Sequence, residues 1–571
     1  MNSQASIREF ARNLRGARSK AIDDRTAQLV VKSILADLLE ENYPLLSEHY
    51  GISPTKKIQK VPGYYSVVDD LGEMDSSLAA YRLSSFYSLL ICQERRYRDG
   101  IYFTPPDLSA RVFKEILRAY SGDISTAKIV DPCSGGGAFL GPAAAQIRLD
   151  MKKRGIRPSQ RLRRASENLR GIEICKTLSE LSEAFCLIEL YPDIRWEQNI
   201  PKLQIETADF LTTQFEDESF DVVIGNPPFR RLTASEQAGY LTEYGATRNG
   251  GSNLYGLFIQ KSLGLVRPGG VVSLIIPASL FAGARFAHLR SYISGHADVV
   301  SIQTMQERVG VFMDVQQEAA VLTLKKLKRG VRRRTYAKIG TVCEKTKTKP
   351  VGRCELPRGR RPWVIPRTRE QVEAASLFTR DLPTLADYGI SIRTGSVVWN
   401  RDQRPRYSTR EPVSKNGVVR FPLIWSDCIG ADGTFGFERA KHRAPNELFV
   451  GTRVADPELL RSSAIAIKRT SNSKQSRRIY CAFINKDFVQ DYGAYLGENH
   501  VNLLIPEGES TSVDLELLAQ ILNSAPVDEA FRCLSGSSAV SKYELSKLPL
   551  PDVDDVQKRL SEGFGLGEAV R

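Results

Sequence analysis

The tetrapeptide Asn226-Pro227-Pro228-Phe229 carries the clearest chemistry in the sequence, because it directly follows the apolar run 221–225. Proline has no N–H and a fixed φ, so the segment is rigid and its carbonyl oxygens point outward. The Asn226 side-chain oxygen and the neighbouring carbonyl can accept both hydrogens of an exocyclic amine. The aromatic ring just after them can stack on the ring that bears the amine. The tetrapeptide therefore predicts a site for an amino group on a planar heterocycle.

A glycine-rich turn follows a second apolar run, which ends at Asp131 and Pro132. Gly135 and Gly137 allow a ligand to approach the backbone closely at the start of a helix. Position 140 is Leu, so the turn lacks the third glycine of the dinucleotide-binding fingerprint. An Asp at the strand end, before the glycines, is instead suited to the amino group of a bound amino acid.

Further candidate ligands stand at the ends of other predicted elements. Glu173 ends a strand and could hold two ribose hydroxyls. Asp209 and Phe210 could offer a carboxylate and an aromatic ring to an adenine. Thr104 lies in a Thr-Pro-Pro segment, near the N-cap of a predicted helix. The five sites follow one another along a single stretch of about 130 residues.

The elements that must position these residues alternate between strand and helix. Short apolar runs at 128–131, 221–225 and 271–276 are bounded by Gly, Pro and Asp, and amphipathic stretches separate them. This pattern is typical of buried parallel strands that alternate with helices. Upstream, apolar residues at helical spacing over 30–39 and 78–90 predict a helical N-terminal region.

The C-terminal part changes in composition. Residues 325–361 hold 15 Lys or Arg and only two acids, which predicts a boundary. Beyond it, β-rich pieces at 396–399 and 448–450 indicate a mixed α+β region. We expect four parts: a helical region over 1–97, a catalytic domain over 98–330, a basic bridge over 331–374 and a DNA-binding domain over 375–571.

Composition limits the class of protein. Lys and Arg total 80 against 66 Asp and Glu, a net charge of +14, which favours a polyanion partner. Apolar residues at 42% exclude a disordered, collagenous or coiled-coil chain. Nine cysteines without a CxxC pair and five histidines without an HxH or HExxH cluster predict no metal site. The longest uncharged apolar stretch, 269–284, contains Pro277 and is too short to cross a membrane, so we expect a soluble, cytoplasmic, nucleoid-associated protein of a prokaryote.

In this order the motifs resemble those of the gamma-class N6-adenine DNA methyltransferases, the TaqI-like enzymes of restriction–modification systems. The resemblance runs from Gly100 to about Lys326. It also includes four further segments: 253–258, 267–270, 276–279 and 310–312 followed by the apolar run 319–324.

The resemblance implies a Rossmann-like class I S-adenosylmethionine-dependent methyltransferase sheet, an α/β fold, with a helical N-terminal segment. It implies S-adenosylmethionine as cofactor, duplex DNA as partner and a flipped-out adenine as acceptor. Phe312 would lie against the second face of that adenine, opposite Phe229. A cognate restriction endonuclease acting on the same site is the further implied partner. The C-terminal stretches 468–478, 498–500 and 518–524 look like target-recognition regions.

Three alternatives remain open at this point. Asn-Pro-Pro-aromatic also occurs in methyltransferases that act on ribosomal RNA or on protein glutamine. A fused nuclease is a second possibility, although residues 1–97 lack an acid followed two positions later by Lys. The third is a DNA-binding protein on a decayed scaffold, against which the intact Asp131, Glu173, Asp209 and Asn226 argue.

Overall fold

The computed structural model describes residues 3–15, 22–100, 102–240, 244–247, 253–305, 318–328, 336–342, 348–411, 417–442, 446–471, 475–508, 513–534 and 539–570. The chain divides into two units. The first consists of residues 1–280, 285–350 and 358–360, and the second of residues 281–284, 351–357 and 361–571.

The first unit begins with a helical region, as the apolar spacing predicts. Its helices are α1 (Ser3–Arg15), α2 (Asp24–Asn42), α3 (Pro44–Tyr50), α4 (Lys56–Gln59), α5 (Tyr64–Gly72), α6 (Ser76–Leu90), α7 (Gln93–Asp99) and α8 (Pro106–Ala119). Asp23 caps α2 by accepting the Thr26 N–H at 2.9 Å. Phe10 and Phe86 stack with their ring centroids 5.4 Å apart, and both rings are fully buried.

A nine-stranded sheet follows, in the order β3-β2-β1-β4-β5-β7-β6-β8-β9. Its strands are β1 (Ile129–Asp131), β2 (Leu169–Glu173), β3 (Gln204–Thr207), β4 (Phe220–Gly225), β5 (Val266–Pro277), β6 (Ala297–Met305), β7 (Ala319–Lys326), β8 (Tyr336–Val342) and β9 (Thr348–Glu355). Strands β1 to β5 pair in parallel, and β7 runs antiparallel to both β5 and β6. The strands expected at 128–131, 221–225 and 271–276 are therefore confirmed.

Helices connect the strands of this sheet. They are α9 (Leu140–Lys153), α10 (Pro158–Asn168), α11 (Lys176–Glu197), α12 (Ala234–Tyr240), α13 (Leu254–Leu265), α14 (Ser279–Ala282) and α15 (Ala287–His296). The N-terminal helices share one hydrophobic core with α9, α11 and the sheet. The first unit is thus a mixed, mostly parallel sheet whose connecting helices share a hydrophobic core with the N-terminal helices.

The second unit contains two four-stranded sheets, in the orders β10-β17-β14-β15 and β11-β13-β12-β16. Its strands are β10 (Ile390–Thr394), β11 (Arg406–Tyr407), β12 (Val418–Ile424), β13 (Phe449–Arg453), β14 (Ala464–Lys468), β15 (Cys481–Ile484), β16 (Leu496–Gly497) and β17 (Val501–Pro506). Its helices are α16 (Gln371–Ser376), α17 (Lys486–Tyr492), α18 (Leu515–Leu522), α19 (Ala525–Leu534), α20 (Lys542–Leu545), α21 (Val553–Ser561) and α22 (Leu566–Ala569).

The expected strand at 396–399 is wrong, because β10 already ends at Thr394. The backbone then turns, and only Val397 forms an isolated bridge, to Glu498. A side chain on Gly395 would overlap the Glu498 carbonyl, so this loop is held against the end of β16. The strand expected at 448–450 is present as β13.

Among the described residues, no helix is both long and apolar enough to cross a membrane. The same part of the chain holds no group of three or more His, Cys, Asp and Glu side chains arranged to bind a metal ion.

Candidate active site

The Asn-Pro-Pro-Phe turn leaves the carboxyl end of β4. The Asn226 amide nitrogen donates a hydrogen bond to the Thr104 hydroxyl oxygen at 3.1 Å. This contact holds the amide against Thr104, and with the nitrogen on that side Oδ1 is the remaining acceptor. Thr104 itself is buried and lies one residue before the N-cap of α8, so its hydroxyl serves Asn226 rather than the helix.

The backbone of residue 100 presses directly against this turn. Gly100 has φ +65°, and a Cβ at this position would overlap the Pro228 ring. Both the left-handed backbone and the close approach require glycine. The Gly100 segment therefore packs directly against the turn and limits its movement.

The glycine-rich turn stands beside it, because β1 pairs in parallel with β4. Gly135 and Gly137 have φ values of +51° and +89°. The Gly135 N–H donates to Glu173 Oε2 at 2.9 Å, and the Cys175 N–H donates to Glu173 Oε1 at 2.9 Å. Glu173 thus ties the end of β2 to the turn that follows β1.

Asp131 is fully buried behind this turn. Its Oδ1 accepts the Cys133 N–H at 3.0 Å, while Oδ2 is buried without a hydrogen-bond partner. Burial, reinforced by the nearby Glu173 charge, raises the pKa of Asp131 from 3.8 to about 8. A buried carboxylate oxygen without a partner fits the amino group of an amino-acid ligand, which would supply the missing donor and a positive charge.

The residues after β3 are held by aromatic contacts and by α12. Asp209 Oδ2 accepts the Tyr240 hydroxyl hydrogen at 2.6 Å. Phe210 is almost completely buried, with its ring centroid 5.1 Å from that of Phe258 and 5.1 Å from the Lys261 ammonium. Only a small part of the Phe210 ring therefore faces a ligand.

These turns enclose a cavity of about 310 Å³. The cavity brings together most of the site residues expected from the sequence: Pro132, Gly135, Glu173, Asp209, Phe210, Asn226 and Pro228. Other expected residues lie next to these without lining the cavity: Thr104, Asp131, Gly137, Pro227 and Phe229. Phe312 lies outside the described residues.

The sequence did not single out several lining residues. Ile174 is 63% exposed and follows Glu173, so it presents an apolar surface to the cavity. Phe103 precedes Thr104 and also lines it. Glu236 and Tyr240 come from α12, whose polar sequence gave no signal beyond that of a surface helix.

The Phe229 ring is half-buried and packs against the hydrophobic core of the first unit. Its centroid lies 6.4 Å from that of Tyr255, in an edge-to-face arrangement. The ring is therefore held in place by packing at the end of the turn.

The chain is similar in sequence to methylases of restriction–modification systems. The model of the Eco57I restriction-modification methylase family matches residues 146–312. The type II methyltransferase M.BsuBI of Bacillus subtilis is 24% identical over 483 residues, which are 80% of this chain and 88% of that protein. M.PstI of Providencia stuartii, also a type II methyltransferase, is 23% identical over 391 residues, 65% of this chain and 74% of that protein.

A solved structure of the type IIL restriction-modification enzyme MmeI, in complex with DNA, matches 95% of this chain and 84% of that one. The TM-score is 0.52 at 14% sequence identity, so this likeness concerns the fold.

The fold and the site define an S-adenosylmethionine-dependent methyltransferase of class I. The resemblance to restriction–modification methylases is confirmed, and the chain is a DNA methyltransferase whose cofactor is S-adenosylmethionine.

We predict that Gly100→Ala lowers the rate of methyl transfer about tenfold or more. The added Cβ must displace Pro228, and the left-handed φ adds strain of about 1–2 kcal/mol. Gly155→Ala is the matched control, because Gly155 has φ +73° with nothing within 4 Å of the added carbon. Single-turnover kinetics and thermal unfolding of both variants separate the two effects. Equal rates in the two variants would contradict the bracing role of Gly100.

We predict that Asp131→Asn makes the ligand-free protein more stable at pH 8 and weakens cofactor binding. The folded state holds the Asp131 proton up to about pH 8 and the unfolded state loses it near pH 4, so the group's contribution to stability is lost as pH rises between these values. The stability gain of the variant should therefore grow from pH 5 to pH 8.

Asp123→Asn is a control whose effect on stability should change with pH in the opposite direction, because the Arg154 hydrogen bond lowers the pKa of Asp123. That variant should lose stability at neutral pH, and the loss should shrink toward acid pH. Thermal unfolding across pH and calorimetry with S-adenosylhomocysteine measure both variants. A pH-independent difference for Asp131→Asn would contradict the raised pKa.

Proposed function

We propose that the chain methylates N6 of adenine in duplex DNA, as the modification enzyme of a restriction–modification system. The observation that carries the proposal is the Asn226 amide at the end of β4, held against the Thr104 hydroxyl. With its nitrogen bonded to Thr104, its oxygen is set to accept a hydrogen from an exocyclic amine. The turn sits at the carboxyl end of β4, beside the glycine-rich turn, so the amine would lie next to the cofactor.

The residues present fit the cofactor. S-adenosylmethionine supplies the methyl group from its sulfonium sulfur when it is bound. Asp131 Oδ2 would accept from its amino group, which explains a buried oxygen without a partner. Glu173 would accept from the ribose hydroxyls, and Asp209 with Ile174 would contact the adenine end.

The acceptor amine is activated by hydrogen bonding alone. Asn226 Oδ1 and the Pro227 carbonyl oxygen accept its two hydrogens, which draws the nitrogen out of the plane of the base and raises its lone-pair character. Phe229, held by packing against the core, stacks on the base. Stacking on an aromatic side chain contributes about 1–3 kcal/mol, which helps offset the cost of unstacking the base from the duplex. No cysteine is given a role in this reaction.

Several features support DNA as the substrate. The net charge of +14 favours a polyanion. The relatives of similar length are type II methyltransferases, and the restriction–modification enzyme MmeI was solved in complex with DNA. A restriction endonuclease acting on the same sequence would be the partner of this activity in the host.

The proposal is tested by product analysis. Labelled methyl transfer to duplex DNA, followed by digestion to nucleosides and mass spectrometry, should give N6-methyladenine. A label in N4-methylcytosine would contradict the proposed acceptor base. Label in RNA or protein with none in DNA would overturn the proposal as a whole.

We predict that Asn226→Ala lowers turnover at least about 100-fold, because one hydrogen-bond acceptor for the reacting amine is lost. The affinity for S-adenosylhomocysteine should change less than about threefold, because the proposed role of the amide concerns only the acceptor. Asn42→Ala, at the end of α2, is the control and should retain full activity. Methylation at the wild-type rate by Asn226→Ala would remove Asn226 from the reaction.

We predict that Phe312→Ala reduces turnover on matched duplexes more than on duplexes whose target adenine is mismatched. A mismatched base needs less unstacking energy, so less stacking must replace it. The two substrates are compared under single-turnover conditions, and equal losses on both would argue against a stacking role for Phe312.

A further inference from the structure

The second unit contains a cavity of about 720 Å³ that the proposed chemistry does not use. It forms where strands β12 and β14 end and where the turn between β16 and β17 begins. Its aromatic, acidic and histidine lining consists of Trp399, Trp425, Asp427, Glu447, Glu498 and His500. Lys468 contributes a cation to the same lining.

Glu498 and His500 form a hydrogen-bonded pair in the lining of the cavity, and this pair sets the tautomer of the His500 ring. Glu498 is fully buried, and its oxygens lie 2.9 and 3.0 Å from His500 Nδ1 and 2.8 Å from the His500 backbone nitrogen. A carboxylate accepts hydrogen bonds, so Nδ1 carries the proton. The other ring nitrogen, Nε2, is then an acceptor in the neutral ring. The His500 side chain is 47% exposed and lines the cavity.

Other lining residues of the cavity also present acceptors. Asp427 and Glu447 contribute carboxylates, and Glu447 is held by Arg406 at 3.1 Å. The Trp425 indole N–H donates to the Glu447 carbonyl at 3.0 Å, which fixes the ring. These acceptors favour a ligand that supplies N–H donors, while Lys468 adds a charged donor to the same lining.

Trp399 adds a flat surface to these acceptors. It lines the cavity on the loop after β10 and remains 50% exposed, which is unusual for so large an apolar side chain. An exposed aromatic ring offers an apolar surface to the edge of a planar heterocycle. The combination of a ring surface with converging acceptors describes a planar ligand that carries an amine.

Three carboxylates converge in a chain whose net charge is +14. Carboxylates repel phosphate groups, so the cavity does not suit the DNA backbone. The edges of the bases, unlike the phosphates, include hydrogen-bond donors that carboxylates can accept from. In the major groove adenine and cytosine present an amine donor, whereas guanine and thymine present a carbonyl acceptor at the equivalent place.

We infer that this cavity reads one adenine or cytosine of the recognition sequence, outside the methylated base, through the exocyclic amine of that base. The inference rests on the proposed function, since it requires DNA as the substrate. His500 and Asp427 accept from the amine, and Trp399 packs beside the exposed edge of the base. Guanine and thymine are disfavoured at this position because their carbonyl oxygens would face these two acceptors.

The test uses the full chain and base analogues. Sequencing of methylated DNA from an expressing host first gives the recognition sequence. Each adenine and cytosine in it, apart from the methylated base, is then replaced in synthetic duplexes by purine or 2-pyrimidinone, which lack the amine. One position should show a loss of kcat/KM of about 5- to 150-fold, the range for one base contact.

In His500→Phe and in Asp427→Ala that loss should shrink to less than about threefold, because an acceptor of the amine is gone. Asp427→Ala removes both carboxylate oxygens, leaves the Glu498–His500 pair intact and serves if His500→Phe, which leaves Glu498 without its partner, fails to fold. Phe564→Ala is the control, since Phe564 is 51% exposed, close to Trp399, and lies outside the cavity. Phe564→Ala should show the same loss of kcat/KM on the analogue duplexes as the wild-type chain. Trp399→Ala should show a smaller loss.

The results separate the cavity from the proposed reaction. If both acceptor variants keep the full loss at every position, the cavity does not read an amine and the inference is overturned, while N6-methyladenine as product still supports the reaction. If the loss disappears in the variants but the product is not N6-methyladenine, the cavity is supported and the proposed acceptor base is wrong. Absence of methylated DNA with the wild-type chain would overturn both.

Discussion

Parallel pairing of β1 with β4 is the constraint on which the site depends. The chain leaves the sheet in opposite directions on either side of β1, so a crevice opens at the carboxyl ends of these two strands. Asp131 and Gly225 end the strands, and a side chain on Gly225 would lie 2.9 Å from Asp131 Oδ1. The turns that hold cofactor and acceptor are therefore neighbours because of backbone hydrogen bonds, before any side chain contributes.

This arrangement buries Asp131, which is energetically unfavourable. Its unpartnered oxygen is a source of instability in the absence of a ligand, and Glu173 nearby increases the penalty. Glu173 itself is stabilised by two backbone N–H groups from the flanking turns. Glu173 thus holds the loops together in addition to its proposed contact with the ribose hydroxyls, whereas Asp131 is left to pair with a charge that arrives with the ligand. This difference between the two acids is difficult to infer from residue types alone.

The sequence predicted the parts of the molecule that depend on local pattern. Apolar runs bounded by glycine and proline located β1, β4 and β5, and the strand-end acids lie where expected. The strand at 396–399 was wrong because the chain turns after Thr394 and only Val397 pairs there, with Glu498 after the end of β16. Contacts between distant segments, such as Gly100 with Pro228, Thr104 with Asn226 and Tyr240 with Asp209, leave no trace in local periodicity. The resemblance pointed to 468–478 and 498–500, but the cavity that they form with three other loops could not be predicted for the same reason.

The shared core of the first unit also governs the order in which the protein can fold during synthesis. Phe10, Val31 and Phe86 belong to the same apolar cluster as Leu181 and Phe185 of α11, about a hundred residues further along the chain. Ser84 on α6 lies where a side chain on Gly136 would be. The first helices therefore leave the ribosome with an apolar face that stays incomplete until α11 has been translated. This long interval makes the nascent chain a natural client for chaperones that shield apolar surface during translation.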